Sequence, residues 1–168
     1  DKNKPEKQQR NQTGSPILEE GDILLNTTLA ETNDWQQVDL PVMRTLRHFC
    51  IETLSSYTED NQACISEVDL LDDKGQPIDK TKWEVVYVSS EQADKNLGIA
   101  ENLFDGDISS FWHTDPATEP GQPHRIIVDI KEIYKISALR FKVRKGAFLS
   151  GKVKEINVYG RPQFFLFH

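Results

Sequence analysis

The stretch AENLFDGDISSFWHT, residues 100–114, followed by PHRIIVDI at residues 123–130, decides the fold. Asp105 and Asp107 stand two apart around Gly106, a spacing that forces a tight turn. Ser109 and Ser110 follow, and carbonyls in such a turn can point inward. Oxygen donors at this density suit Ca²⁺, which takes six to eight of them at variable angles. Asp-Gly is also a plain turn signal, and this stretch alone admits both readings. The PHRIIVDI segment is an apolar run of strand length.

Outward from there the punctuation is that of an all-β chain. Runs with period-two alternation recur at 23–27, 36–40, 46–53, 63–71, 83–89, 125–130, 138–144, 153–159 and 163–167, separated by Gly, Pro, Asn and Asp. Leu139, Phe141 and Val143 put apolar side chains on one face, with Arg140, Lys142 and Arg144 on the other. Trp83, Val85 and Tyr87 repeat the pattern. Only residues 98–104 invite a helical turn. Many short strands and almost no helix predict an antiparallel β-sandwich or jelly roll.

The chain has 168 residues, 37% of them hydrophobic and 28% charged. A body of this size buries about two-thirds of its unfolded surface and needs no disulfide to fold. Cys50 and Cys64 flank a hairpin midpoint, so a cross-strand disulfide and two buried thiols are both open readings. No apolar run reaches the roughly 18 residues of a membrane span, and the polar start DKNKPEKQQRNQTGS carries no signal-peptide core. Residues 1–16 read as a flexible arm. Net charge is −7, which argues against nucleic acid as a partner. Residues 135–154 nevertheless hold seven basic groups and no acid, leaving −14 for the rest.

The 100–130 region resembles the discoidin family, also called coagulation factor 5/8 C-type domains and, in glycan-active enzymes, family 32 carbohydrate-binding modules. The resemblance rests on Ala100, Asn102, Asp105, Gly106, Asp107, Ser110, Trp112, His113 and Thr114, then Pro123, His124 and Asp129. Ser110 replaces a usual Thr and retains the hydroxyl. FKVRKG and KEINVYG resemble the family's next strands. The resemblance implies a galactose-binding-like, discoidin-like jelly roll with a structural Ca²⁺ and ligand-binding loops at one end.

The order of the pieces departs from the family. Its opening strand matches residues 83–91, whereas its closing strand matches ACISEVDLL at 63–71, earlier in the chain. Either the domain is circularly permuted, or the tail of one module is joined to the head of the next. Permutation is favoured, because half a sandwich would expose strand edges and lack a core. Residues 17–168 are then one sandwich, 17–72 resembling the family's second half and 73–168 its first. Strand 63–71 is expected near strand 83–89 and against the Asp105 loop.

The resemblance assigns the cation shell to Asn102, Asp105, Asp107, Ser110, Ser66 and Glu67, with Trp112 as a core anchor beneath it. It implies ligand contacts from His113, Arg144, Lys145, Tyr57, Asn61 and Glu91. The function implied is a non-catalytic module that binds a polysaccharide, acidic more than neutral because Arg144 and Lys145 lie in the basic stretch. Such a module is secreted, periplasmic or on the cell surface and is attached to a catalytic domain. The alternative is an adhesion or membrane-docking domain using the 147–149 tip. Catalysis is disfavoured: His113, Asp115, Glu119 and His124 cluster in sequence, but no nucleophile elbow, HExxH or phosphate-cradling loop accompanies them.

Overall fold

A computed structural model describes residue 10 and residues 14–117, 121–143 and 151–168. The strands are β1 (Ile23–Thr28), β2 (Gln36–Thr53), β3 (Cys64–Asp72), β4 (Glu84–Val88), β5 (Trp112–His113), β6 (His124–Val143) and β7 (Glu155–Arg161). Short 3-10 turns occur at Glu20–Asp22, Asp94–Asn96 and Ala100–Phe104, and the described residues form no α-helix. The protein is an antiparallel β-sandwich.

Its frame is the pairing of β2 with β6. Residues 36–39 of β2 face residues 138–141 of β6, and residues 48–53 face 124–129, with register breaks between the two blocks. Each strand thereby bends and serves both sheets. The first sheet runs β1, β7, the second half of β2, the first half of β6, then β4. The second runs from the first half of β2 through the second half of β6 to β3 and β5.

The four runs expected at 36–40, 46–53, 125–130 and 138–144 are therefore two strands. Pro41 reads as a terminator in sequence, but it falls in the register break between Asp39 and Arg44, where a proline is tolerated. Lys131, at a φ of 74°, takes the corresponding bend in β6.

Between the sheets, Phe49, Ile51, Ile126, Val128, Ile156 and Val158 meet Val68, Leu70, Leu139 and Phe141 in one core. Residues from before and after position 73 share it. Each of these side chains contributes about 1.5–3 kcal/mol by leaving water. Trp83 closes the core beside Phe49 and Phe104, with ring centroids 5.5 and 5.6 Å away.

A smaller cluster of Cys50, Ile127, Tyr159 and Phe165 covers the outer face of the first sheet, with Leu18, Ile23 and Tyr87 against it. Tyr87 departs from the expected alternation. A register shift between Val85 and Tyr87 sends Val85 and Val88 to the core and Tyr87 outward. Residues 163–167 do not form the expected strand. They lie over this face through Phe165, and Phe167 makes a single bridge to Pro16.

The amides of Ser15 and His168 each donate to the other's carbonyl, at 3.0 and 3.1 Å. Arg10 is also held, so the described positions of the expected flexible arm are attached to the sandwich. Cys50 and Cys64 are both buried and carry no disulfide. Among the described residues no helix is long and apolar enough to cross a membrane.

Candidate functional site

Two groups of residues expected to act occupy distinct places. The first is the Asp105 loop. The 3-10 turn Ala100–Phe104 ends as the chain reaches Gly106, whose φ of 80° favours glycine. Asp105 Oδ1 accepts the Asp107 amide at 2.9 Å and its Oδ2 accepts the Ser110 hydroxyl at 2.6 Å. Asp107 Oδ1 accepts both the amide and the hydroxyl of Ser109, at 2.9 and 2.6 Å. The loop is therefore fixed largely by its own side chains. Asn102 braces it from below, its amide donating to the carbonyls of Asn96 and Phe111 at 3.1 Å each.

Glu67 enters from the middle of β3, 1% exposed, and its Oε2 accepts the Gly106 amide at 3.0 Å. Lys80 also reaches Oε2 and donates to Asp69 Oδ1 at 2.6 Å. Arg140 completes the chain by donating to Asp69 Oδ2 at 2.9 Å. Burial pushes the Glu67 carboxyl up to about 7, against the pull of Lys80 and the Gly106 amide. Asp69 goes the other way: burial acts to raise it, but Lys80 and Arg140 together hold it below the usual range.

β3 thus contacts the Asp105 loop as expected. It is not a neighbour of β4, because the two strands pair with different halves of β6. Glu67, Asp105 and Ser110 come together at the loop, with Asp107 beside them and the buried Ser66 next to Glu67. Among the described residues no three His, Cys, Asp or Glu side chains converge as a metal cluster. The group that fits a cation is Glu67 Oε1, buried and without a hydrogen-bond partner. A hard ion here would need that oxygen together with backbone carbonyls and the remaining lone pairs of the loop's own carboxylates and hydroxyl. Trp112 is the expected anchor, fully buried with its indole donating to Ser90 O at 3.0 Å.

The second group is the loop end of the sandwich. Because Thr53 pairs with His124, Cys64 with His113, and Ile65 with Val143, these strand ends lie together at one end of the sandwich. His113 is 4% exposed, with Nδ1 2.5 Å from the Thr114 carbonyl, so it lies beneath the surface there. Its backbone closes a cycle: the Gln92 amide donates to His113 O, the His113 amide to Gly98 O, and the Gly98 amide to Gln92 O.

Asn61 is exposed at a φ of 57°, and its carbonyl accepts from His124 Nε2 at 2.7 Å. Tyr57 is half-exposed; its hydroxyl donates to Leu29 O at 2.8 Å, and Lys154 lies over its ring. Beside them opens a cleft of about 460 Å³ lined by Ser55, Ser56, Thr58, Glu59, Asn61 and Gln122, among others. Glu91 accepts the Ala100 amide at 3.0 Å and Arg10 Nε at 2.7 Å. Arg144 and Lys145 lie outside the described residues.

Sequence reading missed Lys80 and Arg10. Lys80 lies 11 positions from Asp69 and Arg10 lies 81 from Glu91, with no local pattern to pair them. Gln62 was missed too, and Thr114 was read only as a motif position, without its bonding role. Thr114 Oγ1 donates to Gln62 Oε1 at 2.6 Å and accepts the Ala63 amide at 2.9 Å, tying β5 to the cleft loop.

Residues 85–163 match the F5/8 type C domain family. The chain is also 33% identical over 84 residues to a sialidase from Micromonospora viridifaciens, an alignment covering 49% of this chain and 13% of the sialidase. Together with the β-sandwich architecture, the match makes residues 85–163 part of a discoidin-type, F5/8 type C fold. The chain aligns with only a small fraction of the sialidase's length.

Proposed function

We propose that this protein is a non-catalytic carbohydrate-binding module that takes a polysaccharide at the loop end of a permuted discoidin sandwich. The observation that carries the reading is the cleft between residues 54–61 and 121–122, walled by serine and threonine hydroxyls and by the amides of Asn61 and Gln122. Such groups exchange hydrogen bonds with sugar hydroxyls in either direction. Tyr57 adds an aromatic surface in the same loop. The F5/8 type C match and the sialidase likeness support an extracellular accessory module attached to a catalytic domain.

An acidic chain is the ligand favoured, and Arg144 and Lys145 carry that preference. The other cations of the basic stretch are largely committed elsewhere: Arg140 to Asp69, Lys142 to Asn33 O, Lys152 to Glu31 and Lys154 to Tyr57. In the same reading Ca²⁺ is structural, held by Glu67 Oε1, the Asp105 and Asp107 carboxylates, Ser110, and the carbonyls of Ser66 and Asn102. It ties β3 to the loop and supplies no chemistry.

Affinity electrophoresis in alginate and in neutral galactan, at two salt concentrations and with and without EDTA, tests the reading. Retardation that weakens in Asn61→Ala is the expected result. Migration unaffected by either polysaccharide overturns the module. Binding to galactan alone, insensitive to salt, overturns the acidic preference. A melting temperature unmoved by EDTA overturns the cation.

A further inference from the structure

Trp35 is 37% exposed, whereas the other two tryptophans, Trp83 and Trp112, are 6% and 0% exposed. It precedes β2 and shares the outward face with Gln37 and Asp39, both exposed, while Val38 and Leu40 turn to the core. Its position is nevertheless fixed with care. Gln36 clamps the preceding loop, accepting the Ala30 amide at 2.8 Å and donating to the Ala30 carbonyl at 3.1 Å. Lys142 donates to the Asn33 carbonyl from beneath. The Arg140 guanidinium lies 5.1 Å from the indole centroid. Arg140 is itself anchored by Asp69, which Lys80 holds from the other side.

A loop clamp, a buried lysine and a pinned arginine together hold an indole that contributes nothing to either apolar cluster. One ring face is covered by a cation and the indole remains 37% exposed, which leaves it stacking surface toward solvent. Gln37 Nε2 donates to Asp39 Oδ1 at 2.9 Å, so an amide and a carboxylate stand next along the same face. From Trp35 to Asp39 the strand spans about 13 Å. The loop behind Trp35 also touches the cleft loop, through Tyr57 and Leu29 O.

We propose that Trp35 is a stacking platform for a neutral pyranose unit of the bound polysaccharide, with Gln37 as its hydroxyl partner and Asp39 as that of the next unit along, forming a second subsite on the flank of the loop-end cleft. The apolar face of one ring lies on the indole with its hydroxyls toward the Gln37 amide, and the hydroxyls of the next ring meet the Asp39 carboxylate. Asp34 and Asp39 repel a uronate from this position. The inference rests on the glycan-binding reading and extends it from one cleft to a longer track.

The test exploits the burial of the other two tryptophans. Iodide quenching of the full chain's fluorescence reports on Trp35, and neutral galactan oligosaccharides are the probe, with alginate oligosaccharides as the charged comparison. Galactan should protect the emission from iodide. Trp35→Ala should weaken galactan binding about tenfold, and Trp35→Tyr should restore most of it. Asn61→Ala reports separately on the cleft. Its failure to weaken binding counts against the cleft, whereas unchanged affinity in Trp35→Ala, or no protection by galactan, overturns the platform.

Discussion

Glu67 and Gly106, 39 positions apart in the chain, are joined by a 3.0 Å hydrogen bond from the Gly106 amide to Glu67 Oε2. A strand resembling the end of a discoidin domain thereby holds the loop resembling its beginning. The carboxylate that does so is buried, and Lys80 supplies its compensating charge.

Removing that charge should be costly. Lys80→Met leaves Glu67 without its ammonium and Asp69 with Arg140 alone, and at pH 8.5, above the Glu67 pKa of about 7, an uncompensated buried carboxylate costs about 3 kcal/mol. Urea denaturation in EDTA should show this loss. The double variant Lys80→Met, Glu67→Gln should recover part of it, because the stranded charge is gone. Equal stability of wild type and Lys80→Met would sink this account.

His48 predicts a pH dependence. It is 2% exposed, its Nδ1 accepts the Phe165 amide at 3.3 Å, and its ring stacks on Phe164 at 4.2 Å. Burial holds its pKa below the usual value of about 6.5, with Arg47 and Arg161 acting the same way and Asp129 opposing. The folded protein keeps the ring neutral while the unfolded chain protonates it. The His48 contribution therefore declines as pH falls below about 6.5, whereas Glu67, raised to about 7, adds stability over the same descent. Asp129 acts lower: burial would raise it, but Arg47, the Lys131 amide and His48 hold it below its usual value, so its contribution is lost in stronger acid. Denaturation at pH 7.5 and 5.5 should show His48→Gln gaining stability relative to wild type at the lower pH, since the Glu67 contribution is common to both.

Gly98→Ala probes the cycle under His113. A Cβ there would stand 2.9 Å from His113 Cβ and 3.1 Å from its amide nitrogen, neither of which is a flexible chain end. Overpacking of this kind costs about 1–3 kcal/mol. The displaced His113 backbone should also weaken glycan binding. Gly160→Ala is the gentler comparison, because its close contacts are the side-chain ends of Leu24 and Leu46. Differential scanning calorimetry should rank the two in that order.

Trp112→Ala should lower stability by about 3–5 kcal/mol, the range for emptying a fully buried aromatic site. Trp112→Phe should lose less, since it keeps most of the packing and forfeits the bond to Ser90 O. Circular dichroism melts suffice to check both.

The alternation of Leu139, Phe141 and Val143 against Arg140 made the second sheet legible, because a half-buried strand writes its two faces into alternate positions. Lys142 broke that rule. Its stem passes beneath the 29–35 loop to reach Asn33, and it is 6% exposed. Strand continuity through Pro41 was not legible, since a bulge and a chain break use the same residues. At the candidate sites, the donors within residues 100–114 announced themselves through local spacing. Arg10, Lys80 and Trp35 did not, because their partners are set by which strands become neighbours.

The sharing of β2 and β6 between both sheets has a consequence for how the protein comes apart. Neither sheet can be peeled away while the other survives, because each would take half of the same two strands with it. Unfolding should be a single cooperative event, and the slowest-exchanging amides should lie along both long strands together.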